Sequence, residues 1–159
     1  MWWRVTRSHF GKQAGQGNKE ALKATVDSGE VTGILAYAHG QPIAWCSVAP
    51  REAFSSLERS RTQKRVDDLP VWSIVCFYVA KPYRRKGLMV ELLRAAIDYA
   101  TQHGAKIVEG YPIEPKHDDM SPVSTFTGIF STFQEVGFVE VARRSEKRPV
   151  MRYLVEEYN

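Results

Sequence analysis

The sequence of 159 residues is poor in several features, and each shortage excludes something. No apolar stretch approaches the roughly 20 residues needed to span a bilayer, so no membrane partner is expected. Met1-Trp2-Trp3-Arg4 does not open an apolar run with a small-residue cleavage site, which argues against a secretory signal. The two cysteines, Cys46 and Cys76, have neither metal-like nor Cys-x-x-Cys spacing. Set beside Ala44-Trp45 and Ile74-Val75, they read as buried, reduced thiols of a cytoplasmic protein. No run of basic residues reaches five, so the net charge of +4 is spread along the chain. It fits an anionic cofactor, a nucleic acid or a plain solvated surface, and chooses none of them. Repeats and low-complexity stretches are absent, as are the Walker and Rossmann glycine patterns.

What is present fits one α+β domain over residues 1–159. The 43% apolar and 25% charged fractions are those of a globular chain. Trp3 to Thr6 reads as a short strand and Gly11 to Gly17 as a loop. Asn18 reads as the N-cap of a helix over Lys19 to Asp27. Val31–Ala38 and Pro42–Val48 flank a His39-Gly40-Gln41 turn and predict a hairpin. A short helix is expected around Phe54 to Arg61. Val71 to Val79 is apolar on both faces and predicts a central strand. Gly87 to Gln102 is the clearest helix, with a core stripe of Leu88, Leu92, Ala95, Ala96, Tyr99 and Ala100 and a stop at Gly104. Ala105–Glu109 predicts the next strand, after a connection suited to a right-handed crossover. Glu114 to Pro122 reads as a polar loop, and its His117, Asp118 and Asp119 as solvated residues, not metal ligands. A helix over Phe126 to Val136 and strands over Phe138–Ala142 and Arg148–Val155 complete a mixed, mostly antiparallel sheet with helices on both faces.

The segment Val79 to Met89 carries the chemistry. A buried strand stops at Pro82, three basic residues follow, and Gly87 opens the best helix in the chain. A helix N-terminus offers free amides and about half a positive charge. A glycine there lets a bulky anion approach the backbone, and Arg84, Arg85 and Lys86 stand beside it. Taken alone, the cluster fits a phosphate site and a solvated basic turn about equally.

Arg84-Arg85-Lys86-Gly87-Leu88-Met89 resembles motif A of the GNAT N-acetyltransferase superfamily, Arg/Gln-x-x-Gly-x-Gly/Ala, with Met89 departing at the last position. The approach Val79…Tyr83-Arg84 has the family's spacing. Phe133-Gln134-Glu135-Val136-Gly137-Phe138 is similar to its Tyr-Glu-Lys-x-Gly-Phe segment. The resemblance implies a sheet with splayed middle strands and acetyl-CoA as co-substrate. Its pantetheine would pair with the backbone at Phe77, Tyr78 and Val79. Its pyrophosphate would rest on Arg84 to Met89, that is Arg84, Arg85, Lys86, Gly87, Leu88 and Met89. Pro112, just past the next strand, independently favours strands that part at that point.

The resemblance also implies an N-acetyltransferase in which a primary amine attacks the thioester directly. The family's thiol-protonating tyrosine falls on Phe133, which cannot donate, so Tyr111 is named as candidate acid and Glu52 as candidate base; Glu109, Ser131 and Thr132 stand as further substitutes. The acceptor is expected to be a small-molecule amine. A protein or aminoacyl-tRNA amine, and a non-catalytic acyl-CoA binder, are the alternatives. No metal is expected. Nucleic acid is disfavoured because no helix is basic along one face. Monomer and homodimer both stay open. The acceptor should be read by the N-terminal helix, the Arg51 to Asp68 loop and the Glu114 to Thr127 loop.

Overall fold

The computed structural model describes residues 1–115 and 125–155. In chain order these form α1 (Arg7–Lys12), α2 (Gln16–Asp27), β1 (Ile34–Ala38), β2 (Gln41–Pro50) and α3 (Ser55–Glu58). Then come β3 (Trp72–Val79), α4 (Leu88–Gln102), β4 (Ile107–Gly110), α5 (Phe130–Val136), β5 (Val139–Arg143) and β6 (Pro149–Leu154). The polar loop read at Glu114 to Pro122, with its His117, Asp118 and Asp119, falls mostly outside the described residues.

The strands make one mixed sheet in the order β1-β2-β3-β4-β6-β5, in which only β3 and β4 run parallel. The long connection between that pair is α4, as a crossover requires. Leu92, Leu93, Ala96, Ile97 and Ala100 of α4 are buried against one face of the sheet, with Phe133 of α5 in the same core. Leu93 and Ile97 thus take the place expected of Ala95, which is exposed. A helix lying flat on a sheet buries a stripe wider than its narrowest seam. The other face is covered by Phe54 and Leu57, with Trp3 packed against them.

Most differences from the sequence reading lie near the N-terminus. Trp3 to Thr6 is not a strand: Arg4 N–H closes onto the Met1 carbonyl at 2.8 Å, and Thr6 caps α1 by accepting from His9 N–H at 3.2 Å. The stretch read as a loop carries α1 through Gly11, and α2 starts at Gln16 with Gly15 as its cap. Asn18 lies inside α2, and its side-chain amide donates to the Phe10 carbonyl at 2.8 Å, tying the two helices together. The helix expected from Phe54 is a single turn, and the one expected from Phe126 begins at Phe130.

The middle strands part, for two reasons visible in the ladder. β3 and β4 pair only at Trp72↔Val108, Ser73↔Glu109 and Ile74↔Gly110. The β2–β3 register then shifts between Ser47 and Val48, leaving Val75 as an extra residue on β3. Such a bulge bends its strand, and Pro112 removes a donor just beyond the end of β4. Past Ile74, β3 keeps β2 as its neighbour and diverges from β4.

Candidate active site

The open end of β3 leads directly into the basic turn. A 3-10 turn over Lys81–Tyr83 is followed by Arg85 in a left-handed conformation (φ 58°) and by Gly87 (φ 75°), which caps α4. That pair of positive-φ residues folds the backbone into a concave bend. Among the described residues the amides of Arg85, Lys86, Gly87, Leu88 and Met89 have no hydrogen-bond partner. They form an unpaired row at the positive end of a helix. A Cβ built on Gly87 would meet nothing within 4 Å, so the space above it is open. Arg84, Arg85 and Lys86 are exposed around it; Arg84 Nε donates to the Val79 carbonyl at 2.8 Å, and Lys86 stands 5.8 Å over the Tyr83 ring. Met89, the departure from the resemblance, sends its side chain to the core beside Leu88, so its bulk does not fill the bend. The residues present fit a pyrophosphate.

Of the other expected cofactor contacts, Tyr78 is exposed, while Phe77 and Val79 turn their amides away from β2 toward the split, because Ala80 N–H takes the Ile43 carbonyl. Phe77 N–H donates to the Phe126 carbonyl at 2.7 Å, so a chain pairing at that amide must exchange this bond. Phe133 wedges the split and is fully buried, with its ring edge-on to Phe77 at 6.2 Å. A Cβ on Gly110 would fall 2.1 Å from that ring, and one on Gly128 2.5 Å from it. The phenyl ring is held there by two glycines, and no hydroxyl comes with it.

On the sheet face away from α4 lies a cavity of about 700 Å³ that meets the split at Phe126. Trp2, Trp3 and Arg7 come from the N-terminus, Ser56 from α3 and Arg59 to Gln63 from the loop after it, and Phe126, Thr127 and Arg148 from the C-terminal half. Of the three segments expected to read the acceptor, the Arg51 to Asp68 loop and the described end of the Glu114 to Thr127 loop contribute here, whereas the helix expected over Lys19 to Asp27 does not and Trp2, Trp3 and Arg7 stand in its place. Trp3 and Phe126 stack, 6.4 Å between centroids. Arg59 Nη2 donates to the Val5 carbonyl (3.3 Å) and to the hydroxyls of Ser55 (3.4 Å) and Ser56 (3.1 Å). Arg148 Nη1 donates to Thr127 Oγ1 at 2.9 Å, and burial holds its guanidinium below its ordinary pKa. Neither Arg59 nor Arg148 stood out in the sequence: an arginine's partner is set by tertiary contacts, and no local pattern marks these two, which have no carboxylate partner among the described residues.

The two candidate proton carriers sit in different surroundings, one buried and one at the surface. Tyr111 is 1% exposed, in a network under the sheet. Its hydroxyl donates to Glu109 Oε1 at 2.7 Å, accepts from Arg51 Nη1 at 2.6 Å and contacts Ser73 Oγ at 2.9 Å. Burial, and then the Glu109 charge, push its pKa well above the ordinary tyrosine value. Glu109, also 1% exposed, takes Arg51 on one oxygen (3.1 Å) and Arg152 Nε on the other (2.8 Å). Glu52 is at the surface, where the Arg65 hydrogen bond at 2.9 Å holds its carboxyl below the usual range. Ser131 is exposed and Thr132 half-buried on α5. Among the described residues no three or more His, Cys, Asp or Glu side chains are placed to share a metal ion, and no helix is long and apolar enough to cross a membrane.

The model of the Acetyltransferase (GNAT) family matches residues 2–114, well over half of the chain. This chain belongs to the GNAT acetyltransferase family. Solved GNAT structures share its mixed, splayed sheet. A GNAT-family acetyltransferase from Streptococcus agalactiae superposes with a TM-score of 0.57 at 12% identity, over 94% of this chain and 79% of its own. A putative acetyltransferase from Acinetobacter baylyi gives 0.57 at 16% identity, covering 89% and 73%. A ribosomal-protein-alanine N-acetyltransferase from Brucella melitensis gives 0.53 at 14%, covering 88% and 78%. At such identities the likeness is one of fold. Among curated proteins, none matches this chain. Acetyl-CoA is the usual co-substrate of GNAT enzymes.

Proposed function

We propose that the protein is an acetyl-CoA-dependent N-acetyltransferase that acetylates a primary amine of a small molecule by direct attack in a ternary complex. One observation supports this most: the basic turn with its unpaired amides continues β3 past its parting from β4, and the 700 Å³ cavity reaches the same strand through Phe126, whose carbonyl accepts from Phe77 N–H. A cavity of that size is in the range of small-molecule sites, about 300–1,000 Å³.

Bound acetyl-CoA supplies the acetyl group as a thioester. Arg85 to Met89 present backbone amides to its pyrophosphate, and Arg84, Arg85 and Lys86 add charge. Phe77 and Val79 offer amides toward the split, and Phe133 keeps water from beneath it. An alkylammonium has a pKa of about 10 and must lose a proton before it attacks. Glu52 is the carboxylate proposed for that proton, although Arg65 makes it a weaker base than a free glutamate. Tyr111, the candidate hydroxyl for the leaving sulfur, holds its single proton on Glu109 inside a closed, buried network, so its part is proposed to be structural. A thiol leaves with a pKa of about 8.5, so the sulfur can take its proton from water.

Isothermal titration with acetyl-CoA tests the donor site. Saturable binding is expected, with loss in Gly87→Trp, whose indole fills the open space over the bend. No binding to the folded wild-type chain overturns the reading. Thiol release with a panel of small amines, and with a peptide bearing a free N-terminal amine, then tests the acceptor: turnover confined to the peptide replaces the small-molecule reading with a protein acceptor, and no turnover with any amine leaves an acyl-CoA binder.

A further inference from the structure

The arginines of this protein divide by what they face. Arg4, Arg51, Arg65, Arg94, Arg143 and Arg152 each lie within ion-pair distance of a described carboxylate. Arg144 spends its guanidinium on the carbonyls of Lys64 and Arg65. Among the described residues the arginines without such partners gather at two places. Arg84 and Arg85 flank the pyrophosphate turn, and Arg7, Arg59, Arg61 and Arg148 line the cavity across the split. Among the described residues no aspartate or glutamate lines that cavity.

We infer that the acceptor is a small primary amine carrying its own oxyanion, a carboxylate or a phosphate, and that Arg59 and Arg148 hold that oxyanion. The identity of the reacting amine rests on the acyl-transfer reading above; the anion rests on the cavity alone. Arg59 is fixed from behind by Val5, Ser55 and Ser56, which set its direction without cancelling its charge. A guanidinium so positioned loses little freedom on binding an oxyanion, and its planar fork suits a carboxylate or phosphate. Arg148 is partly buried and, among the described residues, has only Thr127 as partner; a desolvated charge in such surroundings gains from a ligand that supplies a counter-ion. Among the described residues the lining carries four cations and no carboxylate, a balance that disfavours polyamines and other polycationic acceptors. The stacked Trp3 and Phe126 give an acceptor's apolar part a flat wall where the cavity meets the split. In the transfer the amine nitrogen bonds to the acetyl carbon as the carbon–sulfur bond breaks, and the proton that nitrogen loses balances the one that sulfur gains.

The test has a binding arm and a turnover arm. Intrinsic tryptophan fluorescence of the full chain is titrated with glutamate, phosphoethanolamine, ethanolamine and spermidine. At least one anionic probe is expected to saturate at concentrations about tenfold or more below the neutral and cationic amines, as loss of a charge-assisted contact implies. Glutamate against phosphoethanolamine tells carboxylate from phosphate. Arg59→Gln and Arg148→Gln are each expected to weaken the anionic probe about tenfold, which assigns it to the cavity and not to the turn at Gly87. Equal or tighter binding of ethanolamine or spermidine, binding of neither anion, or no change in either variant overturns the inference. Thiol release with glycine against glycinamide, and phosphoethanolamine against ethanolamine, reads the same preference in kcat/KM. If acetyl-CoA fails to bind while the anionic probes do, the acyl-transfer reading falls and the oxyanion site stands. If acetyl-CoA is consumed equally with charged and neutral amines, the oxyanion site falls and acyl transfer stands.

Discussion

Two arginine-rich regions of this protein use the same side chain to opposite ends. Under the sheet, Arg51 and Arg152 are 1% and 6% exposed and share both oxygens of Glu109, with Glu58 and Asp67 completing their pairing. Across the split, Arg59 and Arg148 face a cavity where, among the described residues, they have serine, threonine and carbonyl partners and no carboxylate. The first region is electrostatically closed and can only hold the fold together. The second is open, so its charge is available to a ligand. What separates structure from function here is whether the charge is already answered.

The hardest blow to that contrast is Glu109→Gln. It strips two buried guanidiniums of their shared carboxylate, and breaking a buried pair from one side costs about 3–5 kcal/mol. Chemical denaturation is expected to show a loss of that size. A loss below about 1 kcal/mol means the network is not closed in the way described. Gly110→Ala tests the other support of the split: a methyl 2.1 Å from the Phe133 ring overpacks the core. A loss of about 3 kcal/mol is expected in the same measurement.

Tyr111→Phe is milder and sharper. Its hydroxyl sits among Arg51, Ser73 and Glu109, so its removal is expected to cost about 1–3 kcal/mol of stability while kcat stays within about threefold. A kcat fall above tenfold at unchanged Tm assigns it the proton-donor role instead. On the open side, Arg85→Gln is expected to raise the Kd for acetyl-CoA about five- to tenfold and leave Tm unchanged. That affinity should fall as salt rises, since the exposed charge is screened. A Tm drop in Arg85→Gln would place this residue with the structural arginines.

The smallest effect is in acid. The hydrogen bond from Arg152 holds the Asp67 carboxyl below its ordinary value, and Arg65 does the same for Glu52. Depressed carboxylates add stability that is present above their unfolded values, about 3.9 and 4.3, and is lost as pH falls through the lower folded ones. Tm should therefore decline below about pH 4, and Asp67→Asn should flatten part of that decline. An unchanged slope in the variant would remove Asp67 from the closed network.

Much of the fold could be read locally. The β3 strand, α4 and the turn between them announce themselves because an apolar run, a proline, a glycine and a 3.6-residue stripe are all short-range signals. Even the parting of β3 and β4 left a trace in Pro112. The N-terminus was harder to read. Gly11 lies inside α1, and Asn18 serves a tertiary bond where a cap was expected, because both are decided by contact with neighbouring segments. The bulge at Val75 has no residue signature of its own: it exists only as a mismatch between two strands.

By itself, then, the sequence determined where an anion can meet a backbone, since Arg84 to Met89 are contiguous and the turn they form is local. Only the tertiary structure decided the rest of the site. Residues as distant as Arg7, Arg59 and Arg148 come to line one cavity, while Tyr111 is drawn under the sheet into the grip of Arg51 and Glu109. The physical reason is that the availability of a charge or a proton depends on its spatial partners, and those are supplied by segments far apart along the chain.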